Sequence, residues 1–294
     1  MYEVRELRVA GEGEGPYGVA IGQAGEVWFT LIHGGRIGRV DARGDVTLFD
    51  LPDRASGPAQ LVLGPDGAIW FTLSRAGRVG RLDRSGAIQT FALPDAGAAP
   101  FGIAVGPDGA LWVTEMTTQR IARVALDGVV TETELGIPGA MPSMIAASRG
   151  ALWFTLNQAH ALGRLDAGGD LTTHELPTPG AAPVGIDVGP DGTVWFAEIG
   201  AGKIGRMRPD GTLDEQALPD ASAKPHAVAA DASGGCWFTE WAGNRVGHLT
   251  HDGRYTSVEL ATAGSEPHGL AVAPDGTVWV AQEVGLVSHV VRTT

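Results

Sequence analysis

The chain has 294 residues, 44% of them hydrophobic, and a formal charge of −13 at pH 7. That apolar content supports a substantial core and argues against disorder. The acidic balance, with no Lys/Arg cluster, argues against nucleic acid or an anionic membrane as a partner. No uncharged apolar run approaches a membrane span, and the opening MYEVRELRVAGEGEG is too charged for a signal peptide. A lone cysteine, Cys236, allows no internal disulfide, so a cytoplasmic protein is expected.

The first predicted element is YEVRELRV, Tyr2 to Val9, which alternates polar and apolar residues as a strand does. From Pro16 onward a single unit recurs. A short apolar run such as PYGVAIG or PFGIAVG leads to a Gly-centred turn, then to a Trp-bearing strand such as VWFT, a polar loop, a third strand such as RIGRV, and a last alternating strand such as VTLFD. Trp28, Trp70, Trp112, Trp153, Trp195, Trp237 and Trp279 set the period at 42, 42, 41, 42, 42 and 42 residues. A repeat of this length with four short strands predicts an all-β propeller of seven blades. The last unit lacks its outermost strand and the N-terminal strand has no unit of its own. The reading is therefore one domain over 1–294 in which the N-terminal strand completes the last blade and closes the ring. Closure leaves no sheet edge to drive assembly, so a monomer is expected.

With strands A to D counted outward from the axis, the A–B and C–D turns lie on one face and the B–C and D–A connections on the other. The second face is the variable one, where function is expected. Each inner strand follows a proline, and the next residues, Tyr17, Ala59, Phe101, Ser143, Val184, His226 and His268, form a ring at the channel mouth. The residues before the prolines are Gly15, Gly57, Ala99, Met141, Ala182, Lys224 and Glu266, of which only Glu266 is acidic. A further ring starts the B–C loops: Leu31, Leu73, Glu115, Leu156, Glu198, Glu240 and Gln282. The last of these loops is one residue shorter and carries Glu283, with Gln282 competing for the same position. His226, His268, Glu266 and Glu283 thus converge on the mouth from the last two blades. Trp241, with Tyr17, Phe101, Met141 and Met144, reads either as a wall for an apolar ligand or as packing. His33, His160, His174, His248, His251 and His289 fall outside the convergence and read as structural or exposed.

Two carboxylates with water suit a hard divalent cation, Mg²⁺ being the natural one, and a neutral histidine suits proton abstraction near pH 7. Such parts serve an elimination beside a carbonyl or, equally, the activation of water for hydrolysis.

The WFTE-type unit, its seven copies and the EPHG of the last copy resemble the virginiamycin B lyase family over essentially the whole chain. The resemblance implies a seven-bladed propeller that requires Mg²⁺ and opens a streptogramin B-type cyclic depsipeptide, a small-molecule substrate. The ring opens by elimination at the threonyl ester, which confers antibiotic resistance. Carried over by position, Glu266 and Glu283 hold Mg²⁺ and His268 is the general base. His226 positions the substrate or protonates the leaving carboxylate. A metal-dependent lactonase or esterase, and a non-enzymatic ligand-binding propeller, are the competing readings of the same scaffold.

Overall fold

The structure, a computed structural model, describes residues 2–293. Seven four-stranded antiparallel sheets stand around an axis as a seven-bladed β-propeller. Blade one runs through Pro16–Ile21, Val27–Leu31, Arg36–Val40 and Val46–Asp50, and the next five blades repeat this order outward. Blade seven takes three strands from the end of the chain, Pro267–Val272, Val278–Gln282 and Leu286–Arg292, and its fourth from the beginning, Tyr2–Arg8. Tyr2 pairs with Arg292 and Arg8 with Leu286 without a register break, so the ring closes as the sequence implies. No helix in the described residues is long and apolar enough to cross a membrane.

The core is a set of apolar layers between neighbouring blades. One layer joins Trp70 and Val79 of blade two to Leu111 and Val113 of blade three; another joins Val27 and Phe29 of blade one to Ala281 and Val287 of blade seven. The Phe of each WF pair occupies this layer directly opposite a glycine in strand C. Phe29, Phe71, Phe154, Phe196 and Phe238 are fully buried and pair with Gly38, Gly80, Gly163, Gly205 and Gly247. A methyl group at any of these glycines would come within 2.0–2.3 Å of the ring. Blades three and seven carry the smaller Val113 and Val280, and there strand C has Ala122 and Ser288 instead. Ring size and partner size therefore vary together, as close packing requires.

The inner strands hold one another directly. The Thr of the WFT motif donates to a carbonyl of the next blade's inner strand: Thr30 to Ala59 at 2.7 Å, Thr72 to Phe101, Thr155 to Val184 and Thr239 to His268 at 2.8 Å, with Thr114 bonded likewise to Ser143. These carbonyls belong to mouth residues, so the bonds fix where the ring at the mouth begins. A proline is itself the first residue of each inner strand, and the pairing register slips between it and the residue three further on in every blade. Such a bulge re-aims the side chains it contains, and the mouth residue lies inside it.

Strand B extends one residue further than the sequence suggests. Leu31, Leu73, Glu115, Leu156, Glu198, Glu240 and Gln282 are strand ends rather than loop residues, and all are buried. Glu240 is neutralised by Arg245 at 2.7 Å and by the Tyr255 hydroxyl. Glu198 lies beside Glu215, whose own carboxylate is held by Lys203 at 3.0 Å. Burial, reinforced by Glu215, pushes Glu198 up to about 8.

Two expectations follow. Gly80→Ala should cost about 1–3 kcal/mol by overpacking, and adding Phe71→Val, which reproduces the pair of blade three, should relieve part of that cost. Urea unfolding of the two single variants and the double variant measures the coupling, and simple additivity would contradict the interlock. Glu198 is protonated in the fold but ionises near 4.5 when unfolded, so its burden on stability grows as pH rises from about 4.5 towards 8. Glu198→Gln should therefore raise the melting midpoint by roughly 3–6 °C at pH 8 and leave it unchanged at pH 4; an equal effect at both would refute the assignment.

Candidate functional site

At the mouth the bulged inner strands bring four rings together. Tyr17 reaches across from blade one, its ring centre 4.4 Å from that of His268, 5.9 Å from Phe101 and 6.0 Å from His226. The small Ala59 of the intervening blade leaves room for Tyr17 and Phe101 to meet. His226 and His268 stand edge to face at 5.0 Å, and the Tyr17 hydroxyl lies 3.4 Å from Nε2 of His226. These are the positions the sequence marks, and the fold assembles them at one place.

Every residue before the inner-strand proline has a positive φ: 66° at Gly15, 65° at Gly57, 50° at Ala99, and 46–51° at Met141, Ala182, Lys224 and Glu266. Five of the seven are not glycine, so this left-handed turn is imposed on residues that disfavour it. It carries Glu266 to the surface beside the mouth. There its carboxyl is hydrogen-bonded to that of Glu283, while the Glu283 N–H donates to the Glu266 carbonyl at 3.3 Å.

Glu283 is the hub of the cluster. Its Oε2 is 2.8 Å from Nε2 of His268, and its Oε1 is 3.0 Å from Nε2 of His33. Burial would raise its pKa, but the hydrogen bonds from His268, His33 and Glu266 together hold it below the usual carboxylate range. Glu266 moves the other way, raised by burial and by its ionised neighbour. His268, 9% exposed, is lowered by burial, with Glu283 pulling in the opposite direction. His226 is pushed down to about 3 by burial, and the adjacent His268 adds to the shift. Both imidazoles are therefore neutral at pH 7. Nδ1 of each is enclosed without a partner.

The choice between Gln282 and Glu283 resolves through burial. Gln282 is 0% exposed and bonds Ser288 inside the blade, whereas Glu283 turns to the mouth. Trp241 stands 6.4 Å from His268, with the Lys224 ammonium 5.3 Å over its ring. Met141 is partly buried beside the mouth, but Met144 packs into the layer between blades four and five. Most of the remaining histidines are structural: His174, His248 and His289 lie against Trp153, Trp237 and Trp279, and Nδ1 of His160 accepts the Ala182 N–H at 3.2 Å. His33 is the exception: contrary to the expectation from sequence, it belongs to the convergence, its Nε2 lying 3.0 Å from Glu283. Ring closure makes blade one the neighbour of blade seven, which brings the first B–C loop beside Glu283. The signal lay in the closure rather than in the residue.

One oxygen or nitrogen each from Glu266, His268 and Glu283 lie within 4.8 Å of one another, the one such trio among the described residues. Two carboxylates forced to share a hydrogen bond, one lowered and one raised, are the arrangement a hard cation relieves, and such ions favour oxygen ligands. The donor set therefore fits Mg²⁺. A separate cleft of about 620 Å³ between the first two blades opens on the turn face, lined by Glu26, Trp28, Arg39 and Arg84, away from this trio.

Residues 2–290 match the virginiamycin B lyase family. A virginiamycin B lyase from Saccharopolyspora erythraea is 50% identical over 45 residues, a stretch that spans 15% of this chain and 15% of that relative's length. The selenomethionine-substituted virginiamycin B lyase from Staphylococcus aureus superposes with a TM-score of 0.96 at 37% identity, covering 100% of both chains. A catalytically inactive histidine-to-alanine variant of virginiamycin B lyase from Staphylococcus aureus, solved with quinupristin, gives the same TM-score, identity and coverage. The chain belongs to the virginiamycin B lyase family.

Proposed function

We propose that this chain is a Mg²⁺-dependent carbon–oxygen lyase that linearises streptogramin B-type cyclic depsipeptides by elimination at the threonyl ester. The observation that carries the reading is the trio Glu266, His268 and Glu283 beside a neutral His226 at an aromatic mouth. The family relative described as inactive after loss of one histidine, and solved with quinupristin, supports a histidine-dependent reaction on such a ligand.

Glu266 and Glu283 are the residues that would hold the cation. Bound there, it supplies positive charge beside the carbonyl whose α-carbon loses a proton. His268 takes that proton at the unpartnered Nδ1, its own hydrogen lying on Nε2 in the bond it donates to Glu283. Burial keeps the ring neutral and so able to accept, and Glu283, accepting from Nε2 at 2.8 Å, stabilises the imidazolium once the proton has moved. The C–H electron pair becomes the Cα=Cβ bond, the Cβ–O bond breaks, and its electrons leave with the carboxylate. A carboxylate needs no proton to depart, and an imidazole with a pKa of about 3 carries no extra proton at pH 7 to give. His226 is accordingly assigned to hydrogen-bonding the substrate, the first of its two expected roles. Tyr17, Phe101 and Trp241 offer aromatic faces to a macrocycle with aromatic side chains.

Incubating the protein with a type B streptogramin should give a linear product of unchanged mass, lost with EDTA and restored by Mg²⁺. Liquid chromatography with mass spectrometry reads the outcome, and a product heavier by one water would instead assign a hydrolase. His268→Ala should lower kcat/KM by about 10²–10⁴-fold with an unaltered circular-dichroism spectrum; near-normal turnover would remove His268 from the mechanism.

A further inference from the structure

His33 and Arg75 extend the cluster across two more blades. His33 lies in the B–C loop of blade one and Arg75 in the equivalent loop of blade two, each five residues beyond its blade's Trp. The Arg75 guanidinium is 3.1 Å from Nδ1 of His33, and Nε2 of His33 is 3.0 Å from Oε1 of Glu283. A guanidinium can only donate, so Nδ1 of His33 must be the acceptor. The single N–H of the neutral ring then lies on Nε2, aimed at Glu283. Arg75 thus selects the tautomer in which His33 donates. With His268 on Oε2, both oxygens of Glu283 are held in place.

A second observation points to the same two residues. All seven positions before the inner-strand prolines have positive φ, yet five of them carry side chains, so the turn does not itself demand glycine. Glycine occurs only at Gly15 and Gly57. A Cβ at Gly15 would fall 2.8 Å from Cδ2 of His33, and one at Gly57 would fall 2.9 Å from Cγ of Arg75. The backbone has been cleared where these two side chains pass and nowhere else in the ring.

We propose that His33, held by Arg75, is a positioning residue: it orients the Glu283 carboxylate for cation binding with Glu266 and for its contact with His268. The inference rests on the cation-site reading above. Residues that orient a ligating carboxylate commonly govern affinity by 10–100-fold, and the partial exposure of His33, 42%, places the expected effect at the lower end.

The test is calorimetric titration of Mn²⁺, as a probe for the cation, into the full metal-free chain. His33→Ala should weaken binding about tenfold with an unchanged melting midpoint, and Gly15→Ala should weaken it likewise while lowering the midpoint through its left-handed φ. His33→Gln, whose amide can donate to Glu283 while its oxygen accepts from Arg75, should recover most of the loss. His251→Ala, on the opposite face, should bind as the parent does. Parent-like affinity in His33→Ala, or a His33→Gln variant as weak as His33→Ala, would overturn the positioning role. A parent chain that binds no Mn²⁺ at millimolar concentration would refute the cation site itself, a result distinct from the first two.

Discussion

Four of the seven inner strands approach a neighbour more closely than a side chain would permit, and the structure depends on how that approach is accommodated. A Cβ at Gly18, Gly102, Gly185 or Gly269 would lie 2.3–2.6 Å from a carbonyl oxygen of the adjacent inner strand. Those carbonyls belong to Ala59, Ser143, His226 and Tyr17, all residues of the mouth. The absence of side chains at these glycines draws the starts of the strands inward, and the threonine bridges between blades hold them there. Convergence of Tyr17, His226 and His268 within 4.4–6.0 Å of one another is a consequence of this tight axis, not of any attraction among the rings.

The fold was legible because its determinants repeat. Each tryptophan occupies the same layer in its blade, and a requirement imposed seven times leaves a period that survives substitution of everything around it. Glu266, His226 and His268 were legible for the opposite reason, as departures from a register fixed by the other copies. His33 was not legible. It lies in an exposed loop that no packing constraint makes periodic, and it looks like any solvated histidine until blade one is set beside blade seven. Gln282 and Glu283 could not be separated by counting, because the shortened loop leaves the register ambiguous; only burial distinguishes them. Gly15 and Gly57 conceal their steric role among glycines that turns alone would explain.

The site also illustrates how a symmetric scaffold yields a single centre. Equivalent positions in other blades carry Ala, Val or Ser, which pack or stay silent. Replacing a few of them in neighbouring blades concentrates acceptors on one side and imidazoles on the other. Glu283, taking hydrogen bonds from two histidines and one acid, stays ionised at the cost of raising Glu266. The buried acids that end strand B in other blades are handled separately, Glu240 by Arg245, Glu198 by protonation and Glu115 by burial and the Thr118 hydroxyl, so they do not compete with it.

The candidate cation ligands and the His226, Tyr17 and His33 beside them come from blades six, seven and one, and they straddle the seam where Tyr2–Arg8 joins Leu286–Arg292. No other strand pairing among the described residues links residues so distant along the chain. Contacts of that separation carry the largest loop-closure entropy and form late in folding. Six blades can acquire their internal pairing as the chain is synthesised, but the two sides of the mouth meet only when the first strand finds the last. Until then Glu283 has no His33 and His268 has no Tyr17. Among all the regions of the protein, the one that would act on a ligand is the last to exist.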